Sequence, residues 1–483
     1  MPNFNIALPA LIASVFLHVL LVFVFALIYL PQAFDGRNVI ESYLPDDGEI
    51  EAAELFFDDT GHEGAINFVT EIPDSAVQEQ TVFEPLTDLG FRKQSETLST
   101  IGEAASYANL AATSESAAGG FSGRTNKGTL LVKGGGNDAS ERAVALALAW
   151  FERVQFPDGS WNYDHRLNPA FATKALDPAR DVRLRNARMS ATAMAILPYL
   201  GNGYTHRDTS KYKNVIRDGL NYIKKNAVRT DVGISFCEPL AKSAEMYHQG
   251  IVTIAVCEAA AMTRDRELEA LAQGGIKYIC WAQNEQGGWR YLPHQAGDTS
   301  GFGWAFMALK SGQMAHLSIP QTTIQKAKNF LDAVVSVDGG TRYGYTDKKE
   351  STEGYEGTTA IGLLSQMYIG CKPDDAALQG GVEYLTKSGP DPLRLYYGYY
   401  ATQVLHHLGG ERWQKWNAVM RDALIESQVQ TGIETGTWFT EKDHLPNGGR
   451  LCCTSLATMI LEVYYRHLPL YKETTSRAEF PLD

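Results

Sequence analysis

Ala282-Gln-Asn-Glu-Gln-Gly-Gly-Trp289-Arg-Tyr-Leu-Pro-His-Gln-Ala-Gly-Asp298-Thr-Ser-Gly-Phe-Gly-Trp-Ala-Phe-Met-Ala-Leu-Lys-Ser-Gly312 is the stretch that decides the fold. A helix ends at Gln283, Gly287 and Gly288 make a turn, and Trp289 anchors it. A loop runs to Asp298, and a new helix of small and apolar residues follows. The same unit recurs along the last two-thirds of the chain. One copy cannot bury its own apolar face, so the copies must stack or close on one another.

Working outward, Ser140 reads as the cap of a helix that runs to Gln155, with Val144, Leu146, Ala147, Trp150 and Phe151 on its apolar face. Its partner, near 188–201, is apolar almost all round. A helix without a polar face is buried on every side. Further amphipathic helices are expected near 211–226, 267–282, 321–335, 374–387 and 412–428. Their apolar partners are expected near 246–262, 299–315, 356–370, 396–409 and 451–467. Six pairs at a spacing of roughly 40–60 residues suit helical repeats. A solenoid needs a polar end cap. The Val463-Tyr464-Tyr465 stretch is unlike one, which favours an all-α ring, an (α/α)6 toroid of six helical hairpins over 137–470.

Three turns carry a resemblance. Gln155-Phe-Pro-Asp-Gly-Ser-Trp161, Gln283 through Trp289, and Gln428 through Gly436-Thr-Trp438 resemble the Gln–Trp repeats of squalene/terpenoid cyclases and of protein prenyltransferase β-subunits. Copies two, four and five lack the Gln or the Trp. The resemblance implies that these residues tie outer helices together and that the inner-helix ends surround a cavity. One fold hosts many sites, so chemistry has to be tested residue by residue. The family's cyclases protonate their substrate from an Asp-x-Asp-Asp-Thr motif; here Gln295-Ala-Gly-Asp298-Thr299 keeps only the last acid and the threonine. Asp298 is therefore the one catalytic candidate, and equally a helix cap. Prenyltransferases bind zinc through Asp-x-Cys and a distant His. Here Asp298-Thr-Ser300 replaces the cysteine, and Cys452 and Cys453 fall near the His position. Asp298 and Cys452 lack a third ligand, so no metal or cofactor is expected.

Other residues at the starts of the inner helices would face the same mouth: Arg188, Tyr247, His248, Tyr355, Glu356, Tyr396, Tyr397 and Arg450. Tyrosines with a few charges describe a ligand pocket, and they equally describe barrel packing. Arg450 either binds an anion or pairs with Asp443.

The rest of the chain sets the surroundings. Ile6–Leu30 is apolar apart from Ser14 and His18, and at about 1.5 Å per residue it spans a hydrocarbon core of roughly 30 Å. Residues 1–31 are expected to be a single anchor in the cytoplasmic membrane, with the toroid extracytoplasmic. Ser14 and His18 share one helix face. Their spacing resembles the anchor of TonB-type energy-coupling proteins, which implies a channel-type partner; a tolerated, snorkelling His18 is the alternative. Residues 32–136 read as a self-repelling disordered linker, and 471–483 as a tail. Residues 1–135 carry 18 acidic and 6 basic side chains, whereas the remainder carries 38 and 37. A nearly neutral body argues against nucleic acid as partner. The chain reads as a membrane-anchored, non-catalytic binding or scaffold module of the cell envelope with an apolar or isoprenoid ligand. The alternative is an isoprenoid enzyme using Asp298.

Overall fold

A computed structural model describes residues 121, 123–124, 127–169, 176–334, 340–346, 355–442 and 444–471. The expected anchor, Ser14, His18, Asp443 and most of the linker and tail lie outside the described residues. Among the described residues, no helix is long and apolar enough to cross a membrane.

The protein is mostly helical. After α1 (Lys127–Gly134) come six hairpins: α2 (Asp138–Val154) with α3 (Arg188–Gly201), α4 (Lys213–Asn226) with α5 (Glu245–Thr263), α6 (Arg266–Ala282) with α7 (Thr299–Met314), α8 (Gln321–Val334) with α9 (Glu356–Ile369), α10 (Ala376–Ser388) with α11 (Leu395–Leu408), and α12 (Gly410–Ser427) with α13 (Leu445–Leu461). A short α14 (Val463–Arg466) follows. The second helices pack in cyclic order, α3 on α5, then α7, α9, α11 and α13, and α13 packs back on α3. The ring is closed. The first helices form an outer layer.

Burial follows the sequence pattern. Every residue of α7 from Thr299 to Gly312 is buried, whereas α4 buries only the stripe Val215, Ile216, Gly219, Leu220 and Ile223. Aspartates start several helices: Asp265 caps α6, Asp298 α7 and Asp375 α10. For α2 the cap is Asn137, not Ser140. Asn137 accepts from the Ser140 amide, and the Ser140 side chain accepts from the Asn137 amide in return.

The Gln–Trp turns are hydrogen-bonded staples. Gln155 Nε2 donates to Gly159 O and Val215 O, both at 2.9 Å. Gln283 Nε2 donates to Gly287 O at 2.9 Å and Thr323 O at 3.0 Å. Gln428 Nε2 donates to Gly436 O at 3.0 Å and Ala143 O at 2.7 Å. Each joins its own turn to the start of the next outer helix, and the third joins α12 to α2 across the closure. Trp161, Trp289 and Trp438 donate their indole N–H to Phe151 O, Ile279 O and Leu424 O, near the C-terminal ends of α2, α6 and α12. Those carbonyls lie in the last turn, where no backbone amide of their own helix remains to serve them. In the second copy Gln249, from inner helix α5, takes the role. Its amide nitrogen donates to Ile234 O at 2.9 Å and Gly275 O at 3.3 Å.

The structure differs from expectation in three places. A two-stranded antiparallel hairpin, β1 (Val228–Thr230) and β2 (Gly233–Ser235), pairs Val228 with Ser235 and packs on α6. It sits between α4 and α5, outside both helical layers. The last helix is not continuous from 451 to 467, because it stops at Leu461 and α14 follows. The linker reading fails at its end: α1 lies within 32–136, packs on α14 and buries Leu130 and Leu131. Local composition hid this, since the stretch is Gly-rich and aperiodic and its contacts are long-range.

Candidate functional site

Antiparallel hairpins leave all six inner helices pointing the same way. Their N-terminal ends gather at one pole, as the Ser300 Oγ to Tyr396 OH bond of 2.9 Å between α7 and α11 shows. Asp298 sits at that pole, 0% exposed. Its Oδ1 accepts the Gly301 amide at 2.6 Å, and its Oδ2 lies 3.3 Å from Arg290 Nε. Arg290 also lies over the Tyr291 and Tyr345 rings. The Tyr291 and Tyr345 hydroxyls are 2.8 Å apart, and Tyr247 stacks on Tyr291 with ring centroids 5.4 Å apart. Thr299 Oγ1 donates to Gly344 O at 2.6 Å, fixing the strand that carries Tyr345. Burial pushes the Asp298 carboxyl up to about 6, against the pull of Arg290. Protonating an alkene requires a strong acid, and this environment moves the group the other way. The geometry is that of a buried, ion-paired helix cap.

The other expected mouth residues divide. Tyr247, Tyr396 and Asp298 come together in one cluster. His248 is buried, and burial holds its imidazole down at about 4. Glu356 pairs with Arg394 at 3.5 Å, and Tyr355, buried, precedes α9. Tyr397 turns outward, donating to Gly389 O at 3.1 Å and meeting the Trp416 ring of outer helix α12 edge-on. Arg188 is held on the hairpin turn by Asp158 at 2.9 Å and by Ser160, and it lies over Phe156 and Tyr222. Arg450 pairs with the Asp177 carboxylate and donates to Thr437 Oγ1 at 2.8 Å. Gly449, at φ 67°, breaks α13 just ahead of it and brings the two segments together.

Cys452 and Cys453 are both buried, and burial pushes the first thiol well above its ordinary range and the second to about 12. Among the described residues, no three His, Cys, Asp or Glu side chains are placed to hold a metal ion. Sequence reasoning missed Glu238. It accepts the Met189 amide at 2.6 Å at the start of α3, and burial pushes its carboxyl up to about 7. It is the N-cap of a short 3-10 helix, Pro239–Ala244, and no repeat signal in the sequence marks that element.

A second polar cluster went unforeseen at the opposite pole. Glu258 of α5 accepts Arg124 Nη1 at 2.8 Å and Arg466 Nη2 at 2.9 Å. Arg466 also donates to Leu197 O at 2.8 Å and lies 3.7 Å from Glu462. Lys310 lies over the Tyr368 ring nearby. All four charged partners of the Glu258 network are at most 2% exposed.

No protein-family model matches the chain, and none of the curated proteins matches it. Among solved structures, the GH76A α-1,6-mannanase of Salegentibacter sp. HEL1_6 is similar at 12% identity, over 68% of this chain and 99% of that one, with a TM-score of 0.45. The type II terpene cyclase MstE of Scytonema is similar at 10% identity, over 68% and 98%, with a TM-score of 0.43. A D-mannose isomerase is similar at 11% identity, over 68% and 99%, with a TM-score of 0.47.

Proposed function

We propose that the chain is a binding or scaffold module on an α/α toroid, akin in its Gln–Trp repeats to squalene cyclases and protein prenyltransferases but without their chemistry. One observation carries this: the only acid left from the cyclase motif is fully covered and engaged by the Gly301 amide and Arg290. The buried tyrosine cluster around Tyr247 and Tyr396 has the chemistry to border an apolar ligand, which the module would hold rather than convert. The test is to incubate full-length protein with squalene and with prenyl diphosphates, and to look for products by mass spectrometry. No turnover is expected. Turnover that disappears in Asp298→Asn would overturn the proposal in favour of an isoprenoid enzyme.

The apolar run Ile6–Leu30 supports a membrane tether that holds the toroid on the extracytoplasmic side. Deleting residues 6–30 should release the protein from the membrane fraction. If the deleted form stays in that fraction, the tether is elsewhere. Crosslinking from Ser14 and His18 tests for a channel-type partner, and the absence of any captured protein at either position would remove that idea.

A further inference from the structure

We infer that the described residues Phe121, Gly123, Arg124 and Lys127 to Gly136 form a strap over the C-terminal pole of the ring, able to open separately from it, and that Arg124 is its pin. This stands independently of the proposed function.

The grips are mostly polar and few. Arg124, 2% exposed, reaches past the end of α3 to Glu258, 134 positions along the chain, and its Nη1 also donates to Leu200 O at 3.3 Å. Lys127 donates to Asn202 at 2.9 Å and pairs with Glu141. Farther on, Trp413 Nε1 donates to Gly134 O at 2.9 Å and Asn417 Nδ2 to Gly135 O at 3.0 Å. Apolar anchoring is limited to Phe121, Leu130 and Leu131, while Val132 is 74% exposed. On the side facing α12 the strap is undercut by a groove of about 430 Å³, walled by Lys133, Gly134, Trp413, Gln414 and Arg421. A segment held by hydrogen bonds over a groove opens locally at lower cost than a packed helix of the ring.

Opening has a defined consequence. Glu258 is shared by two guanidinium groups, and only Arg124 belongs to the strap, Arg466 being in α14. Arg466 keeps its bonds to Glu258 and Leu197 O when the strap leaves, so the ring can survive the loss. Opening would uncover Glu258 and the end of α3. The Ser-, Ala- and Gly-rich sequence before the strap runs directly into Phe121, so anything that binds or pulls that sequence acts on the pin.

The experiment is hydrogen exchange by mass spectrometry on the full-length chain in detergent. It compares amides of Lys127–Gly134 with amides of Phe302–Leu309 in α7, which touches neither strap nor groove. In Arg124→Ala the strap amides should exchange about tenfold faster or more, and those of α7 should stay within about twofold of wild type. Arg124→Lys should fall between the two. Equal acceleration in both segments would make the strap part of the cooperative ring, and no acceleration would mean that Arg124 does not hold it; either overturns the inference. If Arg124→Ala does not fold, Trp413→Phe removes only the bond to Gly134 O, and the same criterion applies to an expected effect of a few-fold.

Discussion

One buried amide spans the ring closure between outer helices α12 and α2, and Gln428→Leu tests it. The side chain is buried, and its nitrogen serves two carbonyls, one in its own turn and one in α2. Removing it loses two hydrogen bonds of about 1 kcal/mol each, and leaving Ala143 O buried without its donor adds about 1 kcal/mol or more. About 3 kcal/mol in all corresponds to a Tm loss of about 4 °C for a ring of this size, taking about 2.1 cal/mol/K of unfolding entropy per residue. Gln155→Leu and Gln283→Leu break the same pair of bonds at internal seams and serve as internal standards. In a closed ring all three substitutions cost about the same. In an open superhelix Gln428 has no α2 to reach, and its loss costs only the turn bond. Chemical denaturation and calorimetry of the three variants decide between these. A Gln428→Leu effect below about 1 kcal/mol, beside larger effects at the other two sites, would refute closure.

Other consequences are simpler to state. Asp298 titrates at about 6 in the folded chain against about 3.9 when unfolded, so its ionised form opposes folding. Stability should therefore fall as pH rises from about 4 to about 6, by on the order of 2 kcal/mol, and Asp298→Asn should flatten that slope; parallel curves would contradict the buried-cap account. His248, held down at about 4, contributes stability that is present above about 6.5 and lost as pH falls toward 4. Its imidazole resonances should stay those of the neutral ring at pH 5.5, and a protonated ring there would show that it is solvated.

The staples were legible because their logic is local. A Gln at a helix end, a glycine turn and a tryptophan recur at fixed places, and each bond lands within the turn, at the preceding helix end or on the next outer helix. The two layers were legible from burial, since a helix such as α7 has no polar face to give to water. Pairings between distant residues were not. Asp443, the partner that the sequence offered for Arg450, lies outside the described residues, and the structure pairs Arg450 with Asp177, just after the helix kinks at Gly449. Tyr396 and Tyr397 are adjacent, so a helix must send them to different sides, and only the ring decides which faces inward. Arg124 lies in a stretch whose composition is that of a linker, and its burial is visible only once Glu258 and the end of α3 are placed.

One rule connects the two poles. Six parallel helices place partial positive charge at their shared N-terminal end and partial negative charge at the other. Acids accordingly collect at the first pole, where Asp298 and Glu238 accept amides at the starts of α7 and α3. Bases collect at the second, where Arg124 and Arg466 donate to carbonyls at the end of α3. Each set needs counter-charge because it is buried, and Arg290 and Glu258 supply it. Glu258→Gln therefore leaves Arg124 without its paired carboxylate and Arg466 with Glu462 alone, at 3.7 Å, among helix carbonyls. Breaking a buried pair by removing one partner costs about 3–5 kcal/mol, whereas helix carbonyls alone offset roughly 1 kcal/mol. Arg124→Gln on top of Glu258→Gln should recover part of that loss, since one stranded charge is then gone and Arg466 keeps Leu197 O. If the double variant is less stable than Glu258→Gln by the full cost of Arg124→Gln alone, the two residues do not interact energetically, and dipole compensation at this pole fails.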